Sequence, residues 1–179
     1  MSDLHLDTPW DIPLAELNDH LLMAGVKPVT RGKVEKLSAR DLDLPTRTAL
    51  VAALRESVRH ARQASPPVEE WFAASEALVL NDDGSDRARE QADRFWTGLT
   101  QRVYGSLALA ALGDLSEFSV FIELLRHEPA GHLTELATDV VRHYIDPRHE
   151  LDVSSLLQRA EEWWQRLSST KATKEHQEI

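Results

Sequence analysis

The sequence predicts an all-α protein. Apolar residues recur at the spacing of three and four that places them on one face of a helix, and no stretch alternates as a half-buried strand does. Turn-forming residues and prolines separate the periodic stretches, so the chain divides into about seven helices. The predicted helices are 13–24, 47–63, 68–80, 86–112, 116–126, 131–145 and 152–168.

The N-terminal part combines one clear helix with a segment of weak periodicity. Asp11 can cap the first helix, and Pro13 fits its first turn. Residues 26–44 show no clear period, and we expect only a short helical turn there, around 34–37. The region 1–45 is therefore an N-terminal helix followed by an extended strap.

The middle of the chain is expected to supply much of the core. Trp71 and Trp96 fall on the apolar stripes of their helices, which predicts that both rings are buried. The segment 86–112 is long for a helix in a globular protein, so we expect a kink or break near Gly98 or Gly105.

The C-terminal third contains three predicted helices and a polar end. Asp114 and Glu117 have the spacing of a capping box, which predicts the start of the fifth helix. The stretch 131–145 has apolar residues at every position expected of a buried face. Residues 46–168 thus form a helical domain, whereas 169–179 is expected to be a polar, frayed tail.

Composition restricts the classes of protein that this chain can be. Its 179 residues are the length of one compact domain, and there is no cysteine for a disulfide, a thiolate metal site or a catalytic thiolate. The formal net charge of −10 argues against nucleic acid as a partner. Neither a signal peptide nor a run of about 18 apolar residues occurs, so we expect a cytoplasmic protein with no membrane partner.

Small residues in 104–146 form a pattern typical of helical repeats. One helix ends Leu-Ala-Ala-Leu-Gly-Asp at Asp114, the next ends Glu-Leu-Leu-Arg-His at His127, and a short link leads to a helix with Ala137 on its inner face. This pattern resembles the HEAT-like repeats of phycobilisome-lyase relatives and bacterial scaffold proteins. The resemblance implies a stack of antiparallel helical pairs, each covered by its neighbour, with an irregular helical bundle as the alternative.

A second resemblance involves part of the same region. The stretch His-Glu-Pro-Ala-Gly-His-Leu-Thr-Glu-Leu over 127–136 is similar to the Glu-Pro-x-Asp-His…Glu-Leu motif of the all-α chaperones that mature molybdoenzymes. Gly131 stands where that family has aspartate. The resemblance implies that Glu128 and His132 take part in the maturation of a client redox enzyme.

One row of ionisable residues could support chemistry. Glu135, Asp139 and His143 share the polar face of a predicted helix, flanked by Arg142. Carboxylates and imidazole in such a row can bind a divalent metal or transfer protons, and solvated side chains with ordinary i, i+4 pairing give the same pattern. No phosphate-binding glycine loop or nucleophile elbow occurs, and we predict no bound cofactor or metal.

Aromatic residues and charge indicate surfaces that could meet a partner. Trp163 and Trp164 are adjacent and project about 100° apart on a helix, which makes Trp164 a candidate for the edge of the core. Trp10 either anchors the strap to the body or contacts another chain. Residues 27–40 hold five bases and one acid, giving +4, and residues 66–95 hold eight acids and three bases, giving −5.

These observations favour a non-enzymatic module that binds another protein through a helical surface. Adaptor, assembly factor and toxin-neutralising immunity protein are the roles that fit. One alternative is a cytoplasmic maturation chaperone for a cofactor-containing redox enzyme, and another is an enzyme that uses the ionisable row. The candidate partner-binding residues are Trp10, Glu135, Asp139, Arg142, His143 and Trp164.

Overall fold

A computed structural model describes residues 12–29, 37–127 and 131–177 of the chain. Within these ranges it contains seven α-helices and no β-strand, which confirms the predicted all-α class. None of the described helices is both long and apolar enough to cross a lipid bilayer. The helices are α1 (Leu14–Met23), α2 (Leu44–Ala64), α3 (Trp71–Leu80), α4 (Asp86–Ala111), α5 (Ser119–His127), α6 (His132–Ile145) and α7 (Val153–Gln177).

Side-chain caps explain where two of the long helices begin. The Asp43 carboxylate accepts a hydrogen bond from the Thr46 amide at 2.8 Å, so α2 begins at Leu44, ahead of the predicted start at residue 47. The Ser85 hydroxyl accepts from the Ala88 amide at 3.2 Å and caps α4 in the same way. Each cap satisfies an amide that has no partner within its own helix.

The C-terminal half of α4 forms the centre of the fold. The helices α1 and α2 pack against it, and α3, α5 and α6 also contact α4. A helix that is apolar around its whole circumference is typical of such a central position. The buried residues of α4 are Phe95, Gly98, Leu99, Val103, Gly105, Ser106, Leu107, Ala108, Leu109, Ala110 and Ala111.

The helix α4 runs without a break from Asp86 to Ala111, so the predicted break near Gly98 or Gly105 is wrong. These two glycines permit close packing of α4 against α2 instead. A Cβ atom on Gly105 would lie 2.6 Å from Cγ2 of Val58, and one on Gly98 would lie 3.3 Å from Cβ of Ser65. The backbones of the two helices can therefore approach more closely than any larger residue would allow.

The helices α5, α6 and α7 pack against one another as a second group. The buried ring of Phe118 meets Trp163 edge-on with centroids 5.0 Å apart and stacks on Trp164 at 5.9 Å. Tyr144 of α6 stacks on Trp163 at 6.0 Å. Both adjacent tryptophans thus help to hold α7 against α5 and α6, in geometries that aromatic pairs favour.

A buried carboxylate joins the loop after α4 to α2. Asp114 accepts hydrogen bonds from Arg55 at 2.7 Å and from the Ser116 amide at 2.9 Å. Burial alone would raise the pKa of Asp114, but these hydrogen bonds outweigh it and lower the pKa below its ordinary value. Glu117 pairs with Arg62 of α2, so the predicted capping box is wrong and α5 begins after this loop.

A second buried carboxylate closes the connection between α6 and α7. Asp146 accepts hydrogen bonds from Arg142 and from the amides of Glu150 and Leu151, the last two at 2.9 and 3.1 Å. Burial opposes ionisation, yet these donors lower the pKa of Asp146 below its ordinary value. The connection is therefore held by a charged group rather than by apolar packing alone.

The last helix is longer than predicted. α7 extends to Gln177, so the expectation of a frayed tail from residue 169 is wrong for the described part of that segment. Residues 169–177 contain neither glycine nor proline, and their alanine, lysine, glutamate and glutamine favour helix. Polarity alone does not end a helix whose backbone can continue.

We expect Gly105→Ala to destabilise the protein by about 1–2 kcal/mol, because the clash with Val58 outweighs the gain in helix propensity. Urea denaturation followed by circular dichroism measures this loss. In a Val58→Ala background, which removes the clashing Cγ2 atom, the same substitution should cost less. An equal cost in both backgrounds would contradict a packing role for Gly105.

Candidate functional site

A cleft lies between α3, α4, the start of α6 and the end of α1. Its volume is about 520 Å³, within the range of sites that bind small molecules or side chains of a partner. We call it the aromatic cleft, because rings supply much of its lining. Its main lining residues are Met23, Trp71, Phe72, Phe95, Trp96, Leu99, Tyr104 and His132.

The mouth of the aromatic cleft is formed by large apolar side chains that remain exposed to solvent. Met23 is 49% exposed, Phe72 52% and Trp96 50%. Side chains of this size are normally buried, and a group of them on the surface typically marks an interaction site. A hollow of about 980 Å³ beside α2 is larger but more open, and its lining includes no phenylalanine, tyrosine or tryptophan.

Trp96 is not a core residue, so the prediction that it is buried is wrong, whereas the prediction for Trp71 is confirmed. Phe95, one position earlier, takes the inward-facing place on α4 and is 9% exposed. Consecutive helical residues project about 100° apart, so the two rings cannot share that place. The ring of Trp96 lies edge-on to Phe95, with centroids 5.1 Å apart, at the mouth of the cleft.

The helix α3 extends the apolar surface beyond the cleft. Only Trp71 at its start is buried, held by a hydrogen bond from its indole to the carbonyl of Pro66 at 2.7 Å. Phe72, Val79 and Leu80 project outwards within about 100° of one another around the helix, because Val79 follows Phe72 by seven residues and Leu80 by eight, and the last two are 76% and 84% exposed. We call these three residues the α3 face.

A polar group lies at the end of the aromatic cleft nearest α6. Nε2 of His132 lies 3.1 Å from the hydroxyl of Tyr104, within hydrogen-bond distance. Burial raises the pKa of the Tyr104 hydroxyl, so this group stays protonated at neutral pH. A ligand in the cleft would thus meet one hydroxyl and one imidazole among mainly apolar walls.

Titratable side chains of α1 lie behind this polar group. The buried ring of His20 lies 5.4 Å from that of Tyr104, and its Nε2 is 3.9 Å from the Glu16 carboxylate. Burial lowers the pKa of His20 to about 4, so its imidazole is neutral at pH 7. Burial raises the pKa of Glu16, and the charges of Asp19 and Asp139 raise it further.

The predicted row on α6 does not converge on a single point. Glu135, Asp139 and His143 are exposed on α6, while Arg142 binds Asp146 and donates to the Leu151 carbonyl at 2.9 Å. In the described ranges no three histidine, aspartate or glutamate side chains come close enough together to hold a metal ion. The row therefore has the geometry of a solvated helix surface, with Arg142 engaged in the α6–α7 connection.

The remaining predicted residues lie apart from the cleft or outside the described chain. Trp10 and Glu128 lie outside the described residues. Trp164 is half-buried on Phe118 in the second helix group. Of Glu128 and His132, the two residues that the chaperone resemblance singles out, His132 lines the aromatic cleft.

The residues at the mouth of the cleft were missed by reasoning from sequence. The available signal was the composition of α3, whose ten residues include a single charged one, Glu76. A helix with so few charged residues is expected to be buried on several sides. The acidic turn that directly follows α3 is solvent-facing in character, which indicates that this end of the helix lies at the protein surface. The contribution of Met23 and Tyr104 depends on helix packing and has no local signal.

We expect the free energy of unfolding to fall as the pH drops from about 6.5 to about 4, through His20. The unfolded chain takes up the imidazole proton near pH 6.5, whereas the folded protein resists it down to about pH 4. The loss of unfolding free energy reaches about 3 kcal/mol below pH 4, and there is no loss above pH 7. Urea titrations at several pH values should show a shallower dependence in His20→Gln, with exposed His60→Gln as the matched control. Equal dependence in wild type and His20→Gln would contradict this.

None of the protein-family models, curated proteins or solved structures compared with this chain matches it. The resemblance of 104–146 to HEAT-like repeats stays a prediction, as does that of 127–136 to molybdoenzyme chaperones.

Proposed function

We propose that this protein is a non-enzymatic interaction module that binds an apolar segment of a partner protein in the aromatic cleft. The observation that supports this is the group of half-exposed side chains, Met23, Phe72 and Trp96, around a cleft of about 520 Å³. Buried aromatic rings supply much of the binding energy in protein interfaces. Adaptor, assembly factor and immunity protein are roles that such a module can fill.

A protein segment suits this surface better than a small molecule does. The apolar surface continues from the aromatic cleft onto the α3 face, where Val79 and Leu80 are more exposed than the residues at the mouth. A ligand that filled only the cleft would leave these two side chains in water. A helix or extended segment of a partner can insert side chains into the cleft and cover α3 with the same surface.

The chaperone role is a second candidate, supported by the position of His132. This residue belongs to the stretch that resembles the chaperone motif, and it lies 3.1 Å from Tyr104 in the aromatic cleft. A chaperone of this kind would use the cleft to hold an apolar segment of its client. His132→Gln should then reduce the amount of cofactor-loaded client enzyme in cells without lowering the thermal stability of the chain.

We expect Trp96→Asp and Phe72→Asp to weaken partner binding at least tenfold, because each places a charge where an apolar group would be buried. A photoreactive residue at position 72 first identifies the partner by cross-linking in cells, and titration then measures its affinity for each variant. Circular dichroism and thermal melts should show little change, since both side chains are half-exposed.

The matched control for this experiment is Leu44→Asp. Leu44 is a large apolar residue, 74% exposed at the start of α2 and outside the cleft lining. Its substitution should leave binding unchanged, and a photoreactive residue at position 44 should not give the same cross-link. Binding that survives both cleft substitutions, or cross-links equally from positions 72 and 44, would refute the proposed function.

A further inference from the structure

The surface beside the aromatic cleft is acidic. The segment 66–95 holds eight acidic and three basic residues, a net charge of −5, and it includes α3, the turn that follows and the first part of α4. All eight carboxylates are exposed. They are Glu69, Glu70, Glu76, Asp82, Asp83, Asp86, Glu90 and Asp93.

Within the described part of the chain, these eight carboxylates do not hold the fold through ion pairs. Elsewhere, arginines on α2, α5 and α6 pair with acidic residues, as in Arg55 with Asp114 and Arg126 with Glu161. Across the described ranges none of the eight forms a salt bridge. Asp82 and Asp83 accept hydrogen bonds from the amides of Gly84 and Ser85, which shape the turn and leave the negative charge facing water.

Acidic and apolar side chains alternate on this surface. Glu76 is four residues from both Phe72 and Leu80, so it lies between two members of the α3 face. Asp93 precedes Trp96 by three residues and lies one turn away from it on α4. A ligand that covers Phe72, Leu80 and Trp96 therefore lies within one helical turn of Glu76 and Asp93.

A second copy of this chain fits this surface poorly. Face-to-face pairing through α3 would bring two segments of net charge −5 together, and like charges across an interface oppose binding. A partner with lysine and arginine around an apolar centre has the opposite property. Its long side chains can cover apolar surface with their methylene stems while their charged ends reach carboxylates.

We infer that the segment bound in the aromatic cleft is a basic amphipathic helix. Its apolar face carries a large aromatic or aliphatic anchor for the cleft and covers the α3 face, and its lysines and arginines lie against the acidic residues of 66–95. This inference rests on the proposed function, because it names the chemistry of the partner at the same site.

Two synthetic helical peptides test the inference directly. Both carry the same apolar face with one tryptophan anchor, and their polar faces carry either lysine and arginine or glutamate. Fluorescence anisotropy of labelled peptides with the full-length protein gives the affinities. We expect the basic peptide to bind at least tenfold more tightly at low salt, with the difference largely lost near 1 M salt.

Charge variants locate the effect on the surface. Glu76→Gln combined with Asp93→Asn should weaken binding of the basic peptide severalfold at low salt. The matched control is Glu150→Gln combined with Glu162→Gln, which removes two exposed carboxylates outside 66–95 and should leave the affinity unchanged. Equal losses in both double variants would overturn the inference, because only the net charge of the chain would then matter.

The outcomes separate this inference from the proposed function. Equal affinity for both peptides, abolished by Trp96→Asp but not by Leu44→Asp, would overturn the basic partner and leave the proposed function standing. Failure of both peptides to bind, or binding that Trp96→Asp does not reduce, would refute the proposed function itself. A dimer in light scattering that Trp96→Asp converts to monomer would overturn the inference, because a second copy would then occupy the surface.

Discussion

The burial of the C-terminal half of α4 is the constraint on which the rest of the structure depends. A helix that is covered on nearly every side needs neighbours at short distance, and small residues at the contacts make this possible. Gly105 receives Val58 of α2, and the alanines near the end of α4 lie in the same crowded region. The loop that follows is then tied back to α2 by Asp114 and Arg55, so α2 and α4 are joined at more than one level.

The helix α3 shows what this arrangement leaves exposed. It is anchored at one end by Trp71, whose indole binds the Pro66 carbonyl. Ala74 and Leu78 are half-buried against the core, whereas Phe72, Val79 and Leu80 project towards solvent. Exposure of apolar surface to water is unfavourable, and the free energy falls when a partner covers that surface. The exposed carboxylates of 66–95 belong to the same segment as this surface and form no ion pairs in the described chain, whereas other acidic residues are engaged with arginines that support the fold.

The helices themselves could be predicted because their signals are local. Apolar spacing, caps and turn residues lie within a few positions of the backbone that they organise. Each of the seven predicted helices corresponds to one of the seven in the part of the chain that the structure describes. Two of the errors occur where a distant residue competes. Glu117 pairs with Arg62 instead of capping a helix, and Gly105 accommodates Val58 instead of breaking α4. The error at the end of α7 has a local cause, because a polar segment without glycine or proline contains no signal that stops a helix.

The sequence by itself determined the fold class, the positions of the helices and the uneven distribution of charge, since these depend on residue type and short spacing. Only the tertiary structure decided that Trp96 lies at the mouth of a cleft while its neighbour Phe95 is buried, and that Trp164 packs on Phe118. It also brought Met23, Tyr104 and His132 from three helices to one place. The physical reason is that helical periodicity in the sequence indicates which face of a helix is apolar, whereas the helices packed against it determine how much of that face is buried.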